Sequence, residues 1–264
     1  MNIPYVFDIK RSSLSDGDGM RTVIFFKGCN LDCFWCHNPE GKSAAPQLAF
    51  FADKCTGCGV CRRVCLSPDN CKGCFSCTET CHSSALRGYG KKYTAKDLLN
   101  IVLADKLFYA ATGGGVTFSG GECMLYADFL ASTAKLCHNK GINVAIDTAG
   151  CVPFSEFEKV LPYVDSFLYD IKALDEALHI KGTGKSNRLI LENLERLMKT
   201  GKKITVRVPV IPDFNEGEEI ERIGLYCGER GLDVEFLPYH EMGEDKKKAI
   251  AAFNAKISER SLSR

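Results

Sequence analysis

Three times in its second half this chain repeats one local plan: a helix-like segment stops at a glycine and a short apolar run follows. The glycines are Gly141, Gly201 and Gly231, and the runs cover 142–147, 204–210 and 234–237. A glycine just past a helix supplies the left-handed cap that other residues resist. Further apolar runs at 21–26, 116–118 and 166–170 bring the set to six strands, ending near Phe26, Phe118, Asp147, Asp170, Val210 and Leu237. Strands apolar enough for burial on both faces, alternating with helices, indicate a parallel sheet with right-handed crossovers. Six such units predict an α/β fold, an open partial βα barrel rather than a closed eight-stranded one. Thr94, with Asp97 three residues on, is a plausible N-cap for a helix reaching Tyr109. Ser155–Glu158 reads as a capping box. The segment 186–199 carries Ile190, Leu194, Leu197 and Met198 on one helical face. The residues ahead of the first strand read as polar and irregular.

Fifteen cysteines in 264 residues interrupt this regular plan. The N-terminus has neither the basic region nor the apolar core of a signal peptide, and no apolar run is long enough to span a membrane. A cytoplasmic protein is therefore expected, with its cysteines reduced and metal ligation their default use. A net charge of +1 gives no reason to expect nucleic acid or an acidic membrane as a partner. Cys137, Cys151 and Cys227 stand singly and read as small core residues.

Eight cysteines fall within residues 53–85: Cys55, Cys58, Cys61 and Cys65, then Cys71, Cys74, Cys77 and Cys81. Each group is C-x2-C-x2-C-x3-C, the run of bacterial ferredoxins, and zinc modules seldom double it. Two auxiliary 4Fe–4S clusters in a small insert are expected, between barrel portions at 1–52 and 86–264. Carrying over the ferredoxin rule that a fourth cysteine serves the other cluster pairs Cys81 with Cys55, Cys58 and Cys61. Cys65 then joins Cys71, Cys74 and Cys77. Neither run ends in Cys-Pro, so the ligand set is firmer than its partition.

A ninth to eleventh cysteine, Cys29, Cys33 and Cys36, follow the first strand at C-x3-C-x2-C spacing. Three thiolates can bind three irons of a cubane and leave the fourth open for a substrate or cofactor. His37 as fourth ligand, a zinc site, or three buried thiols are the other readings of the triplet alone. In barrels of this kind the active site lies at the C-terminal strand ends. There the sequence gathers the triplet, Gly120-Gly121-Glu122, Asp147-Thr148, Asp170-Ile171-Lys172, Arg207 and His240.

With those motifs in family order, the chain resembles radical SAM proteins, specifically the glycyl-radical-enzyme activating enzymes of the pyruvate formate-lyase activase type. The shared segments are D-G-x-G-x-R (Asp16–Arg21), C-x3-C-x2-C-H-N, S-G-G-E (Ser119–Glu122), D-T-x-G, D-I-K, R-x-P-V-I-P and L-P-Y-H (Leu237–His240). The resemblance implies a 4Fe–4S cluster on Cys29, Cys33 and Cys36 that binds S-adenosylmethionine at its open iron. Reductive cleavage would give a 5′-deoxyadenosyl radical that takes a Cα hydrogen from a glycine of a partner enzyme. Gly120, Gly121 and Glu122 would receive the methionine amino group. Asp170, Lys172, Arg207 and His240 would surround its carboxylate and the ribose, with Trp35 near the adenine. Asp147, Thr148 and Asp170 would fit a monovalent cation. Asp16, Gly17, Asp18 and Gly19 would contact the partner's glycine segment. The insert would relay electrons from a flavodoxin or ferredoxin, or else serve structure or docking, and a monomer that docks transiently is expected. Two departures stand out. Cys123 replaces the usual proline after S-G-G-E, and D-G-D-G-M-R replaces D-G-P-G-I-R.

Other classes remain to be weighed: a radical SAM enzyme acting on another peptide or small molecule, an iron–sulfur electron carrier, and a zinc-binding interaction protein. A carrier has no need of an open-iron triplet or of polar residues along a barrel rim.

Overall fold

The computed structural model describes residues 2–65, 73–239 and 242–261, with side chains of the last segment described for 243–253. Cys71 and His240 lie outside the described residues. In chain order the elements are β1 (Tyr5–Ser13), β2 (Arg21–Phe26), β3 (Gln47–Phe50), α1 (Val60–Val64), α2 (Ser76–Glu79), β4 (Leu86–Tyr89) and β5 (Lys91–Lys92). The regular half follows as α3 (Ala95–Leu103), α4 (Lys106–Thr112), β6 (Gly115–Gly120), α5 (Ala127–His138), β7 (Asn143–Thr148), α6 (Phe154–Val160) and β8 (Ser166–Asp170). It closes with α7 (Glu176–Thr183), α8 (Arg188–Met198), β9 (Lys203–Val210), α9 (Glu218–Glu229), β10 (Asp233–Pro238) and α10 (Met242–Ser261).

The expected six parallel strands are present. The main sheet runs β10-β9-β8-β7-β6-β2-β1-β5, with β2 and β6 to β10 parallel and β1 and β5 added antiparallel at one edge. Gly141, Gly201 and Gly231 hold φ of +67°, +69° and +64°, as their place after helices requires. The helix-facing side of the sheet buries Ile24, Phe26, Phe118, Ile146, Phe167 and Val206 against Leu98, Leu130, Phe157, Leu194 and Ile223. Each such side chain contributes about 1.5–3 kcal/mol by leaving water.

Three local expectations fail. Residues 5–13 are a strand, not irregular: β1 pairs with β2 through two register shifts, and its polar Asp8, Lys10 and Arg11 hide the alternation. The helix from Thr94 has its predicted capping box with Asp97, but it breaks at Ala104–Asp105 into α3 and α4. The break lets the Asp105 carboxylate accept from Arg11 and from the Thr22 hydroxyl of β2 at 2.8 Å. Ser155 caps nothing, because Pro153, held at φ −54°, starts α6 earlier. β3 and β4, which flank residues 51–85, pair antiparallel with each other.

The loop between β1 and β2 plugs the N-terminal end of the parallel strands. Arg21 there is 1% exposed and donates to the Thr117 hydroxyl at 2.6 Å and to the carbonyls of Val116 and Asp18 at 2.6 and 3.1 Å. Burial pushes its guanidinium down to about 10. Lys203 of β9 reaches across to Asp18 at 2.7 Å, so the sheet curls around this plug.

Candidate functional site

A cavity of about 550 Å³ lies over the C-terminal ends of the parallel strands. Its walls include Cys29, Cys33, Cys36 and Trp35 from the loop after β2, and Gly120 and Gly121 from the end of β6. Asp147 and Thr148 of β7, Asp170 of β8, Lys172 just after that strand and Arg207 of β9 join them. Residues separated by up to 178 positions in sequence thus converge because parallel strands deliver their C-terminal loops to one rim.

The cysteine loop is pinned by its own backbone. Gly28 N–H donates to the Gly41 carbonyl at 2.7 Å and Cys29 N–H to the Lys42 carbonyl at 3.0 Å, which closes it at the base. Asp32 and Phe34 donate to the Thr183 and Gly182 carbonyls of α7. A Cβ on Gly182 would stand 2.4 Å from the Phe214 ring and 2.7 Å from Trp35, so only glycine permits this contact. Trp35 rests on Phe214, ring centroids 4.5 Å apart. Burial raises all three thiols, Cys29 to about 12. Such groups become thiolates when a metal replaces the proton.

The glycine pair meets this loop directly. Gly120 has φ +124°, and a Cβ on Gly121 would sit 2.3 Å from the Gly28 carbonyl oxygen. Glu122, by contrast, is 1% exposed and does not border the cavity. Its carboxylate accepts from Met124 N–H at 3.0 Å, Thr148 Oγ1 at 2.7 Å and Ala149 N–H at 3.0 Å. Burial pushes it up to about 7 despite those three donors.

The charged wall is incompletely paired. Arg207, 9% exposed, donates to the Ser15 carbonyl at 3.3 Å. It otherwise stands 3.6 Å from Asp147, 3.9 Å from Asp16 and 3.7 Å from Glu235. Its Nε has no hydrogen-bond partner among the described residues. Asp147 accepts from Ser119 Oγ at 2.7 Å; burial pushes it up to about 6 against the pull of Arg207. Burial alone would lower the Lys172 ammonium, but Asp170 at 2.7 Å and the cysteine sulfurs outweigh it and raise it.

Of the four loop residues expected to meet a partner, Asp16 borders the cavity. Gly17 and Gly19 accommodate the chain itself: a Cβ on Gly19 would be 2.5 Å from the Thr112 carbonyl oxygen, and one on Gly17 3.0 Å from the Arg21 side chain. Lys10, Ser15, Lys42 and Lys246 also border the cavity. Nothing in their sequence surroundings marks them, since each is a common polar residue outside any motif. Cys123, Cys137 and Cys227 are buried.

In the insert, Cys55, Cys58 and Cys74 are exposed, while Cys61, Cys65, Cys77 and Cys81 are partly so. None of residues 51–65 and 73–84 is buried. A segment like this has no apolar core to hold it.

The three thiols and the incompletely paired guanidinium fit a sulfur-ligated group with an anionic ligand beside it. Among the described residues, the three thiols border the cavity rather than converge on a single-ion site.

Residues 23–225 match the radical SAM superfamily. The chain is 41% identical over 265 residues to the trans-4-hydroxy-L-proline dehydratase activating enzyme of Clostridioides difficile, covering 94% of this chain and 88% of that one. It is 38% identical over 270 residues to the choline trimethylamine-lyase activating enzyme of Oleidesulfovibrio alaskensis, covering 93% and 86%. Streptococcus suis SuiB bound to precursor peptide SuiA shares the fold at TM-score 0.57 and 16% identity, over 92% of this chain and 46% of that one. Among the described residues no helix is long and apolar enough to cross a membrane.

Proposed function

The chain belongs to the radical SAM superfamily, and on that footing we propose that it activates a glycyl radical enzyme, as its relatives are named for doing. When bound, a 4Fe–4S cluster and S-adenosylmethionine supply the chemistry: reductive cleavage to a 5′-deoxyadenosyl radical, which takes a hydrogen atom from the Cα of a glycine in the partner.

The protein's part is to bind, orient and keep out water. Cys29, Cys33 and Cys36 would hold the cluster. Gly120 and Gly121, whose lack of side chains lets β6 pack against Phe26 and Gly28, border the cavity where their backbone would meet a ligand's amino group. Glu122 acts from behind that wall by fixing Thr148 and Ala149. Arg207 offers a carboxylate the hydrogen bonds that Asp147 and Asp16 leave unmade, and it is the residue best suited to that geometry. Lys172 and Asp170 serve the ribose and carboxylate side, together with His240, while Trp35 presents an indole face to an adenine. Asp147, Thr148 and Asp170 are the candidates for a monovalent cation.

Asp16 borders the cavity where a partner's glycine loop would enter, and Gly17, Asp18 and Gly19 shape its loop. The insert at 53–85 would hold two further 4Fe–4S clusters through its eight cysteines, which would supply the core it lacks. It would pass electrons from a flavodoxin or ferredoxin to a monomeric activase.

The observation that carries the reading is the convergence of the cysteine loop, the glycine pair and Arg207 on one cavity. The test is anaerobic incubation of reconstituted protein with dithionite and S-adenosylmethionine, following 5′-deoxyadenosine. Product should form and vanish in Cys33→Ala. Absence of product from protein with a full iron complement would sink the proposal.

A further inference from the structure

Helix α10 meets the cysteine loop at two points, Gly243 and Lys246. A Cβ on Gly243 would sit 2.4 Å from the Cys36 carbonyl oxygen and 3.1 Å from the His37 Cα, so the first turn lies directly on the loop. Three residues on, the Lys246 ammonium donates to the His37 carbonyl at 3.1 Å, to Asn38 Oδ1 at 3.2 Å and to Glu40 Oε1 at 2.6 Å. Those three acceptors match the three protons an ammonium carries. Glu40 is 3% exposed and its other oxygen has no hydrogen-bond partner among the described residues, so Lys246 compensates a carboxylate held out of water. At the other side, Ala249 and Ile250 pack on Ala49 of β3 and Tyr89 of β4. The helix is thus rooted beside the insert's base and reaches across to the loop.

We infer that Lys246 is a positioning residue for the cysteine loop: together with Gly243 it clamps residues 36–40 to α10 and keeps Cys36 at the cavity wall. Lys246 itself borders the cavity but spends its protons on the loop. A methionine there would remove the ammonium that donates to the buried Glu40 carboxylate and leave Lys27, which donates to the Glu40 backbone carbonyl, as the nearby cation. The effect on a cluster rests on the reading of Cys29, Cys33 and Cys36 as its ligands; the clamp as such does not.

Hydrogen exchange on the full-length reconstituted protein, resolved by peptide, tests the clamp. In Lys246→Met, amides of residues 36–42 should exchange about tenfold faster, the change expected when a local opening loses a charge-assisted hydrogen bond. Exchange in β7 should not move. The double variant Glu40→Gln, Lys246→Met should recover part of the protection, because both partners are then gone, and the exposed neighbour change Lys247→Met should do nothing. In the same Lys246→Met sample, the fraction of the reduced-cluster electron paramagnetic resonance signal that responds to S-adenosylmethionine should fall. Unchanged exchange at 36–42, an equal effect in Lys247→Met, or equal acceleration in β7 would each overturn the inference. If S-adenosylmethionine leaves the wild-type spectrum unaltered, the ligand reading fails, and the exchange comparison still decides the clamp.

Discussion

The Glu122 carboxylate accepts a 2.7 Å hydrogen bond from the Thr148 hydroxyl, and it does so beneath the cavity wall rather than inside the cavity. Thr148 in turn accepts from Gly150 N–H at 2.9 Å, so a single buried acid sets the path of the chain as it leaves β7.

Glu122 and Thr148 should therefore behave as one unit. Glu122→Gln and Thr148→Val should each weaken S-adenosylmethionine binding about tenfold, and the double variant should be little worse than either alone, as expected for coupled neighbours. Anaerobic calorimetric titration measures all three. Additive losses, with Thr148→Val nearly silent, would mean instead that Glu122 touches the ligand.

Arg207 has long contacts to three acids and an Nε that makes no hydrogen bond among the described residues. Arg207→Lys keeps the charge and loses the fork. Affinity for S-adenosylmethionine should fall about 10- to 100-fold, the range for charge-assisted hydrogen bonds. The resonance spectrum of the reduced cluster without ligand should stay as in wild type. A wild-type affinity in Arg207→Lys would remove this residue from the binding site.

Asp105 joins the broken helix to the sheet. Its hydrogen bond from Arg11 holds the carboxyl below its usual range, with Thr22 adding to that against burial. Because the folded-state value is depressed, the stabilisation is present above the unfolded value of about 3.9 and is lost as pH falls through the folded one. Asp105→Asn should lower the melting temperature at pH 7 by roughly 4–8 °C, for about 2 kcal/mol. The gap between the two proteins should hold constant down to about pH 5 and shrink below about pH 4. Comparing the pair at each pH cancels any acid lability that the two proteins share. A gap that widens on acidification would contradict this role.

Residues 51–65 and 73–84 bury nothing of their own, so removal of iron should release them. Limited trypsin digestion after chelation should cut at Lys54, Arg62 and Arg63, while the loaded protein resists there and 127–230 stays intact in both. Equal cutting with and without iron would mean that metal does not hold the insert.

The parallel half of the fold was legible because its signals are local and strong. Buried strands such as 166–170 are short apolar runs, and the glycines that end helices must be glycine to take positive φ at no steric cost. The rim residues were legible for the same reason, since strand ends are where such a sheet presents chemistry. β1 is hard to read from sequence because it lies near the sheet's edge, where Asp8, Lys10 and Arg11 are exposed polar residues that interrupt the apolar pattern. The break at Asp105 was hidden because its partners, Arg11 and Thr22, lie 94 and 83 residues away.

Spacing groups Cys29, Cys33 and Cys36 in one loop, and strand order brings Gly120, Asp147, Asp170 and Arg207 to the same cavity. Both are properties of short stretches and of the way parallel strands stack. Only the tertiary structure shows that Glu122 hydrogen-bonds Met124, Thr148 and Ala149 beneath the cavity wall, that Gly19 packs closely on Thr112 and Gly114, and that Lys246 donates to the cysteine loop. Those assignments depend on which distant atoms a buried charge or a bare Cα meets. Packing sets such contacts across up to 209 residues of chain.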